Sequence, residues 1–198
     1  MKEKKHRQKP LPKGGLIMGI RAAVPEDLPA MLEIYRPFVE HTTYSFEYTV
    51  PTQAEFRQRF EAHITQFPWL VWEEGGQVLG YAYAGAPWER AAYRWCAEIS
   101  VYLHPGIHGR GIGRQLYRRI EELLQLQGYR VVYALVTTEN TGSLAFHRRV
   151  GYRDCCVFEN CGFKHGRWLG VVWLKKELPA AGDPAAFPRP WREILGNE

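Results

Sequence analysis

The stretch Val101-Tyr102-Leu103-His104-Pro105-Gly106-Ile107-His108-Gly109-Arg110-Gly111-Ile112-Gly113 constrains the chain more than any other. An apolar, β-branched run stopped by Pro-Gly reads as the end of a strand. Glycines at alternate positions 109, 111 and 113 let the following backbone turn tightly with its N–H groups facing inward. An amphipathic helix then opens at once, adding unpaired N–H groups and the positive end of its dipole. Strand, turn and helix together make a cradle for a phosphate or pyrophosphate. It is not a P-loop, because no Lys-Ser/Thr follows the glycines. Nor is it a dinucleotide fingerprint, because Gly-x-Gly-x-x-Gly is met from neither Gly109 nor Gly111.

The rest of the chain predicts alternating helices and strands. Met18 to Ala23 reads as a first strand. Pro25-Glu26-Asp27 starts a helix whose apolar face (Leu28, Met31, Leu32, Ile34, Tyr35) carries it to His41. Thr52-Gln53-Ala54-Glu55 is a capping box, followed by Phe56, Phe60 and Ile64, for a second helix ending near Gln66. Trp69 to Glu73 and Gln77 to Ala84 form a hairpin around Gly75-Gly76, and Arg94 to Leu103 is a long strand. Arg114 to Gln127, capped by Gly128, is the clearest helix. Val131 to Val136 reads as a strand covered on both faces, and Ser143 to Val150 as a short helix. Arg153 to Phe158 and Trp168 to Lys175 are a last pair of strands around an expected loop, Asn160 to Arg167. The fold class is α/β, a mixed central sheet layered with helices.

Charge divides the chain into segments. Residues 1–17 hold six Lys or Arg against Glu3, while residues 18–198 carry twenty bases and twenty acids, so the formal +5 belongs to the tail alone. We expect a basic, flexible tail over 1–17, a folded domain over 18–178 and a loosely packed, proline-rich tail over 179–198. A neutral domain does not predict nucleic-acid binding. No run of about 18 apolar residues predicts a membrane span, and the first residues lack the apolar segment of a secretory signal. Cys96, Cys155, Cys156 and Cys161 have neither metal-ligand spacing nor a disulfide framework. They read as reduced thiols packed as small apolar groups, with a cytoplasmic location expected and no metal.

The glycine turn resembles the signature of GNAT acyltransferases, Gln/Arg-x-x-Gly-x-Gly/Ala, with His108 in the first position. A second block, Asn140-Thr141-Gly142-Ser143-Leu144-Ala145-Phe146-His147 with Gly151-Tyr152, is similar to that superfamily's, with His147 where an acid tyrosine usually stands. Within the superfamily the chain resembles the phosphinothricin and methionine-sulfone branch. The passages that carry this are Ile20-Arg21-Ala22-Ala23 with Asp27, Tyr93 to Leu103, Leu144-Ala145-Phe146-His147 with Gly151-Tyr152, and Gly162-Phe163-Lys164-His165-Gly166-Arg167-Trp168.

The resemblance implies a GNAT sheet with helices on both faces, a cleft where strands four and five splay, and acetyl-CoA-dependent N-acetylation of a small amino acid or analogue. It implies Glu98 as general base, directly or through water, where a strand carboxylate in a cross-strand ion pair is the plain alternative. His147 is a second catalytic candidate, to assist deprotonation or protonate the leaving thiolate; a structural helix-face histidine is its alternative. Cofactor contacts are expected from Val101, Tyr102, Leu103, Gly109, Arg110, Gly111, Ile112, Gly113, Arg114, Asn140 and Ser143. An acceptor carboxylate calls for an arginine fork, for which Arg90 and Arg94 are the candidates. Tyr44, Ser45, Phe46 and Glu47 form another expected wall, with His165 at the substrate rim. The resemblance also implies a homodimer. Acceptors of other kinds (a polyamine, an aminoglycoside, a protein N-terminus) and a non-catalytic acyl-CoA-binding regulator are the competing readings.

Overall fold

The computed structural model describes residues 18–179 and 186–195. The N-terminal tail anticipated above lies outside the described residues. In chain order the elements are β1 (Met18–Ala22), α1 (Leu28–His41), α2 (Gln53–His63), β2 (Trp69–Glu74), β3 (Gln77–Gly85), β4 (Cys96–Leu103), α3 (Ile112–Gln127), β5 (Val131–Thr137), α4 (Thr141–Arg149), β6 (Arg153–Lys164), β7 (Arg167–Glu177) and α5 (Trp191–Leu195). The strands form one sheet in the order β1-β2-β3-β4-β5-β7-β6. Every neighbouring pair is antiparallel except β4 and β5.

That one parallel pairing is short, and it shapes the molecule. Only Cys96, Ala97 and Glu98 pair with Val131, Val132 and Tyr133. Beyond them β4 stays with β3 as far as Leu103, while β5 stays with β7 as far as Thr137. The two halves of the sheet diverge, and a wedge opens between them. Neighbouring residues of β4 face opposite layers: Tyr102 packs edge-on against Tyr35 and Phe38 of α1, and Leu103 reaches Gly113 of α3. Helices therefore cover both faces.

Local chemistry explains the layers. The Thr52 side chain accepts from Glu55 N, and Glu55 accepts from Thr52 N at 2.7 Å, the reciprocal cap the sequence predicts for α2. The α3 stripe of Leu116, Ile120, Leu123 and Leu124 is almost fully buried. Arg21 grips Asp27 through two bonds of 2.7 and 2.8 Å and Glu73 through a third of 2.5 Å, tying β1, β2 and the entry to α1 together. Burial opposes the Asp27 charge, but the Arg21 guanidinium and the Val24 N–H outweigh it and hold the carboxyl below its usual range.

Five expectations need correction. β4 begins at Cys96, not Arg94, because Ala91–Tyr93 forms a turn of 3₁₀ helix that Arg94 closes. β5 is not covered on both faces, since Leu135 is exposed. The anticipated loop from Asn160 to Arg167 is mostly strand: β6 runs on to Lys164, and only His165-Gly166 turns, both with positive φ. The C-terminal tail is not loose in its described part. Trp191 is buried and donates to Ile64 O at 2.7 Å, and Gln127 donates to Arg189 O at 2.6 Å. The cysteines are also placed differently: all four are free, but Cys155, Cys156 and Cys161 are exposed on β6, where a bulge falls between Asp154 and Cys156.

Candidate active site

The wedge holds two adjoining cavities. The wider, about 660 Å³, runs from Phe38 and Tyr44 along Val101, Leu103 and the glycine turn to Asn140, Ser143 and Phe146. Gly111 has φ 76° at the α3 N-cap, a conformation that favours glycine, and a side chain built there would meet no atom within 4 Å, so the turn is open towards the cleft. Gln115 is the first residue to donate back into the helix, to Gly111 O at 3.2 Å, which leaves the preceding N–H groups for a ligand. His108, Arg114 and Arg149 stand around this mouth. Asn140 caps α4 by accepting from Ser143 N at 3.1 Å, so its amide nitrogen stays available.

The narrower cavity, about 70 Å³, lies deeper, between Ile99–Tyr102 of β4 and Ala134–Thr137 of β5. His147 and Tyr117 close its far side. His147 is 3 % exposed. Its Nδ1 donates to Ser143 O at 2.8 Å, and Nε2 lies 2.7 Å from the Tyr117 hydroxyl. That hydroxyl is also 3.1 Å from Ile99 O. One hydroxyl proton therefore faces two acceptors, and satisfying both would need protons on Nε2 and Nδ1 together, the charged ring. Burial pushes His147 below its ordinary value, so the ring is neutral at pH 7.

Glu98 lies elsewhere. It points into a third cavity of about 230 Å³ with Phe56, Arg59 and His63 of α2, Trp69, Tyr83, Gly85, Ala86 and Ser100. Ser100 lines both this cavity and the narrow one, so the two meet there. Burial drives the Glu98 carboxyl above its usual range. The cross-strand ion pair offered as its plain alternative is not formed: Glu98 stands opposite Gly85 on β3 and Tyr133 on β5.

The segment between α1 and α2, expected as an acceptor wall, is tied down by several side chains. Tyr35 bonds Ser45 Oγ at 2.6 Å and donates to Glu47 at 3.1 Å, and Glu47 pairs with Arg59 at 2.5 Å. Lys164, buried, donates to Val39 O and Ser45 O at 2.8 and 2.7 Å. Glu139 accepts from Thr43 at 2.7 Å and from Arg167 at 2.8 Å. Phe46 lies against Gly162, where even a methyl group would come within 2.3 Å of its ring. The passage from Gly162 to Trp168 is thus the clamp that holds this segment.

Several expected residues sit away from the cavities. Arg90 caps the Ala91–Tyr93 turn, and the Arg94 guanidinium lies 4.9 Å from the Phe187 ring centroid, held by the C-terminal segment. The arginine on the Glu98 cavity is Arg59, which the sequence reading missed because an arginine on a helix of low amphipathicity carries no signal. Arg110 turns to Glu74 at 2.8 Å. His165 lines an open groove with Glu139 and Arg167, not the Glu98 cavity. Tyr117, Phe146 and Arg149 were also missed; as parts of amphipathic helices they read as core or solvated face.

The model of the acetyltransferase (GNAT) domain matches residues 20–173. The chain belongs to the GNAT acetyltransferase family. Among curated members, this GNAT chain is 34 % identical to the phosphinothricin N-acetyltransferase of Streptomyces viridochromogenes over 88 % of its own length and 93 % of the relative's. It is 32 % identical to the L-methionine sulfoximine/L-methionine sulfone acetyltransferase of Salmonella typhimurium, covering 85 % and 99 %. A solved phosphinothricin acetyltransferase from Sinorhizobium meliloti, in complex with acetyl-CoA, superposes with a TM-score of 0.79 at 36 % identity, covering 86 % of this chain and 92 % of that one. A ribosomal-protein-alanine N-acetyltransferase from Brucella melitensis superposes at 0.77 with 36 % identity, over 80 % and 99 %. Among the described residues no cluster of ligating side chains suits a metal, and no helix is long and apolar enough to cross a membrane.

Proposed function

We propose that the protein transfers the acetyl group of acetyl-CoA to the amino group of a small amino acid or close analogue, of the phosphinothricin or methionine-sulfone kind. The observation that carries this reading is the wedge between β4 and β5, with an anion cradle at one end and, meeting it at Ser100, the adjoining cavity of the buried Glu98 carboxylate. The residues suit acetyl-CoA. Helix N–H groups, Arg114 and Arg149 would hold its phosphates, and the unpaired edge of β4 at Val101 and Leu103 would pair with its amide-bearing arm. The thioester it brings supplies an electrophilic carbonyl.

The rest falls to this chain's own groups. Glu98 accepts the acceptor's ammonium and takes its proton, directly or through water, freeing the lone pair. The raised affinity of that carboxyl for protons suits a base working near neutrality. Backbone N–H groups of β4 that lack a strand partner beyond Glu98 face developing negative charge in the wedge. Tyr117, backed by neutral His147, holds a proton at the deep end for a departing thiolate. Asn140 and Ser143 orient the arm; Phe46 and Glu47 wall the acceptor side.

We further infer a homodimer in the cytoplasm. β6 is an edge strand, and Val157, Phe158, Phe163 and Trp168 on β6 and β7 expose large apolar surfaces. Light scattering should give twice the 22.9 kDa of one chain; a monomer at assay concentration would overturn it. The activity is tested by thiol release from acetyl-CoA with phosphinothricin, methionine sulfone, polyamines, aminoglycosides and an alanine-terminated peptide. Release with the first two is expected, and release with only the last three would overturn the reading.

A further inference from the structure

The Glu98 cavity is electrically lopsided. One wall holds a carboxylate, Glu98, and the α2 wall carries an exposed guanidinium, Arg59. Arg59 is held by Glu47 through an uneven fork, 2.5 Å at one nitrogen and 3.3 Å at the other. A well-formed fork closes both bonds near 2.7–2.9 Å. Tyr83 lines the same cavity and feels the charge of Glu98 and of Arg59 together. His63, one turn on, spends its Nδ1–H on Arg59 O at 2.8 Å and turns its other edge towards Gly85, which is paired with Glu98.

We propose that Arg59 determines acceptor specificity by receiving a carboxylate on the amine substrate, which takes over one arm of the fork from Glu47. The argument rests on the amino-acid reading above and adds the residue that makes it selective. A neutral or polycationic amine would meet Arg59 as repulsion or as nothing. A carboxylate-bearing amine would meet opposite charges at both of its poles, in a cavity sized for a molecule of that class. Arg59 suits this role because its charge does not titrate and its planar fork serves two acceptors at once, Glu47 on one side and the ligand on the other. Glu47 keeps a second bond from Tyr35, so it stays anchored when the fork opens.

The experiment pairs enzyme variants with matched ligands. Wild type, Arg59→Lys and Arg59→Met are assayed with methionine sulfone and with its carboxamide, which keeps the amine but lacks the negative charge. Arg59→Met should raise the KM for methionine sulfone about 10- to 100-fold, as loss of a charge-assisted bond does, with kcat and the KM for acetyl-CoA unchanged. Arg59→Lys should recover part of the loss. The carboxamide, poor with wild type, should be indifferent to the change. An equal penalty on both ligands would make Arg59 a structural residue and overturn the assignment, as would no penalty on either. If wild type acetylates neither ligand, the amino-acid reading fails and the assignment falls with it.

Discussion

Glu98 shows what a carboxylate costs in an apolar strand. It has no ion-pair partner across the strand, and burial raises its affinity for a proton. The folded protein then binds that proton more tightly than the unfolded chain. Stability from this site is complete below the unfolded value and is lost as pH rises through the higher folded one. Glu98→Gln is neutral at every pH, so it should melt higher than wild type at pH 7 and nearly level with it at pH 4. The same variant should lose about 10²- to 10⁴-fold in turnover, the usual worth of a general base. The acid limb of its pH–rate profile should vanish with acetyl-CoA affinity unchanged. Calorimetry and steady-state kinetics check both, and near-normal turnover would make Glu98 a structural carboxylate. At this scale the sequence marked Glu98 as a costly carboxylate in an apolar strand, but its assignment as a base came from the resemblance alone. It was silent on Tyr117 and Arg59, whose types are ordinary for a helix and whose surroundings only the fold reveals.

At the scale of elements, the helix periods and the capping box read true because they depend on local chemistry. The wedge was expected only by resemblance: pairing between β4 and β5 stops after Glu98, and no periodicity marks that stop. The β6–β7 hairpin was misread for a related reason. Asn160, Gly162 and Gly166 look like loop residues, yet Asn160 sits in a bulge and Gly162 is small because Phe46 lies on it. Gly162→Ala tests this. Its methyl would fall 2.3 Å from the Phe46 ring, so Phe46 and the segment between α1 and α2 must yield. Overpacking of this kind costs about 1–3 kcal/mol in a rigid core. Phe46 is exposed, so its ring can yield towards solvent, and the change should register chiefly as a raised acceptor KM, with that for acetyl-CoA unaltered. An unchanged acceptor KM would show that the clamp does not shape the acceptor wall.

For the whole molecule, composition suggested a domain ending near residue 178 and a proline-rich tail, and four prolines without periodicity gave no reason to expect more. Packing decided otherwise. Residues 186–191 cross the end of the sheet where β4 begins: Trp95 donates to Ala186 O at 2.9 Å, and Phe187 lies between Trp95 and Arg94. Trp191 then fills a site against the end of α2, and Gln127 bridges Gln66 O and Arg189 O at 2.7 and 2.6 Å. A single large aromatic, nearly invisible to pattern reading, thus fastens a segment that looked unanchored. Trp191→Ala would empty its site and leave Ile64 O without its donor, a loss of about 3–5 kcal/mol for a buried tryptophan. Trp191→Phe keeps most of the apolar burial and loses only the 2.7 Å bond, a cost of about 1–3 kcal/mol. Urea unfolding should rank the three proteins in that order. Because α2 carries Arg59 and His63 on the Glu98 cavity, the Ala variant should also bind acceptor more weakly at a temperature where it is still folded. Coincident unfolding curves for wild type and Trp191→Ala would mean that the C-terminal segment rests on the domain without supporting it.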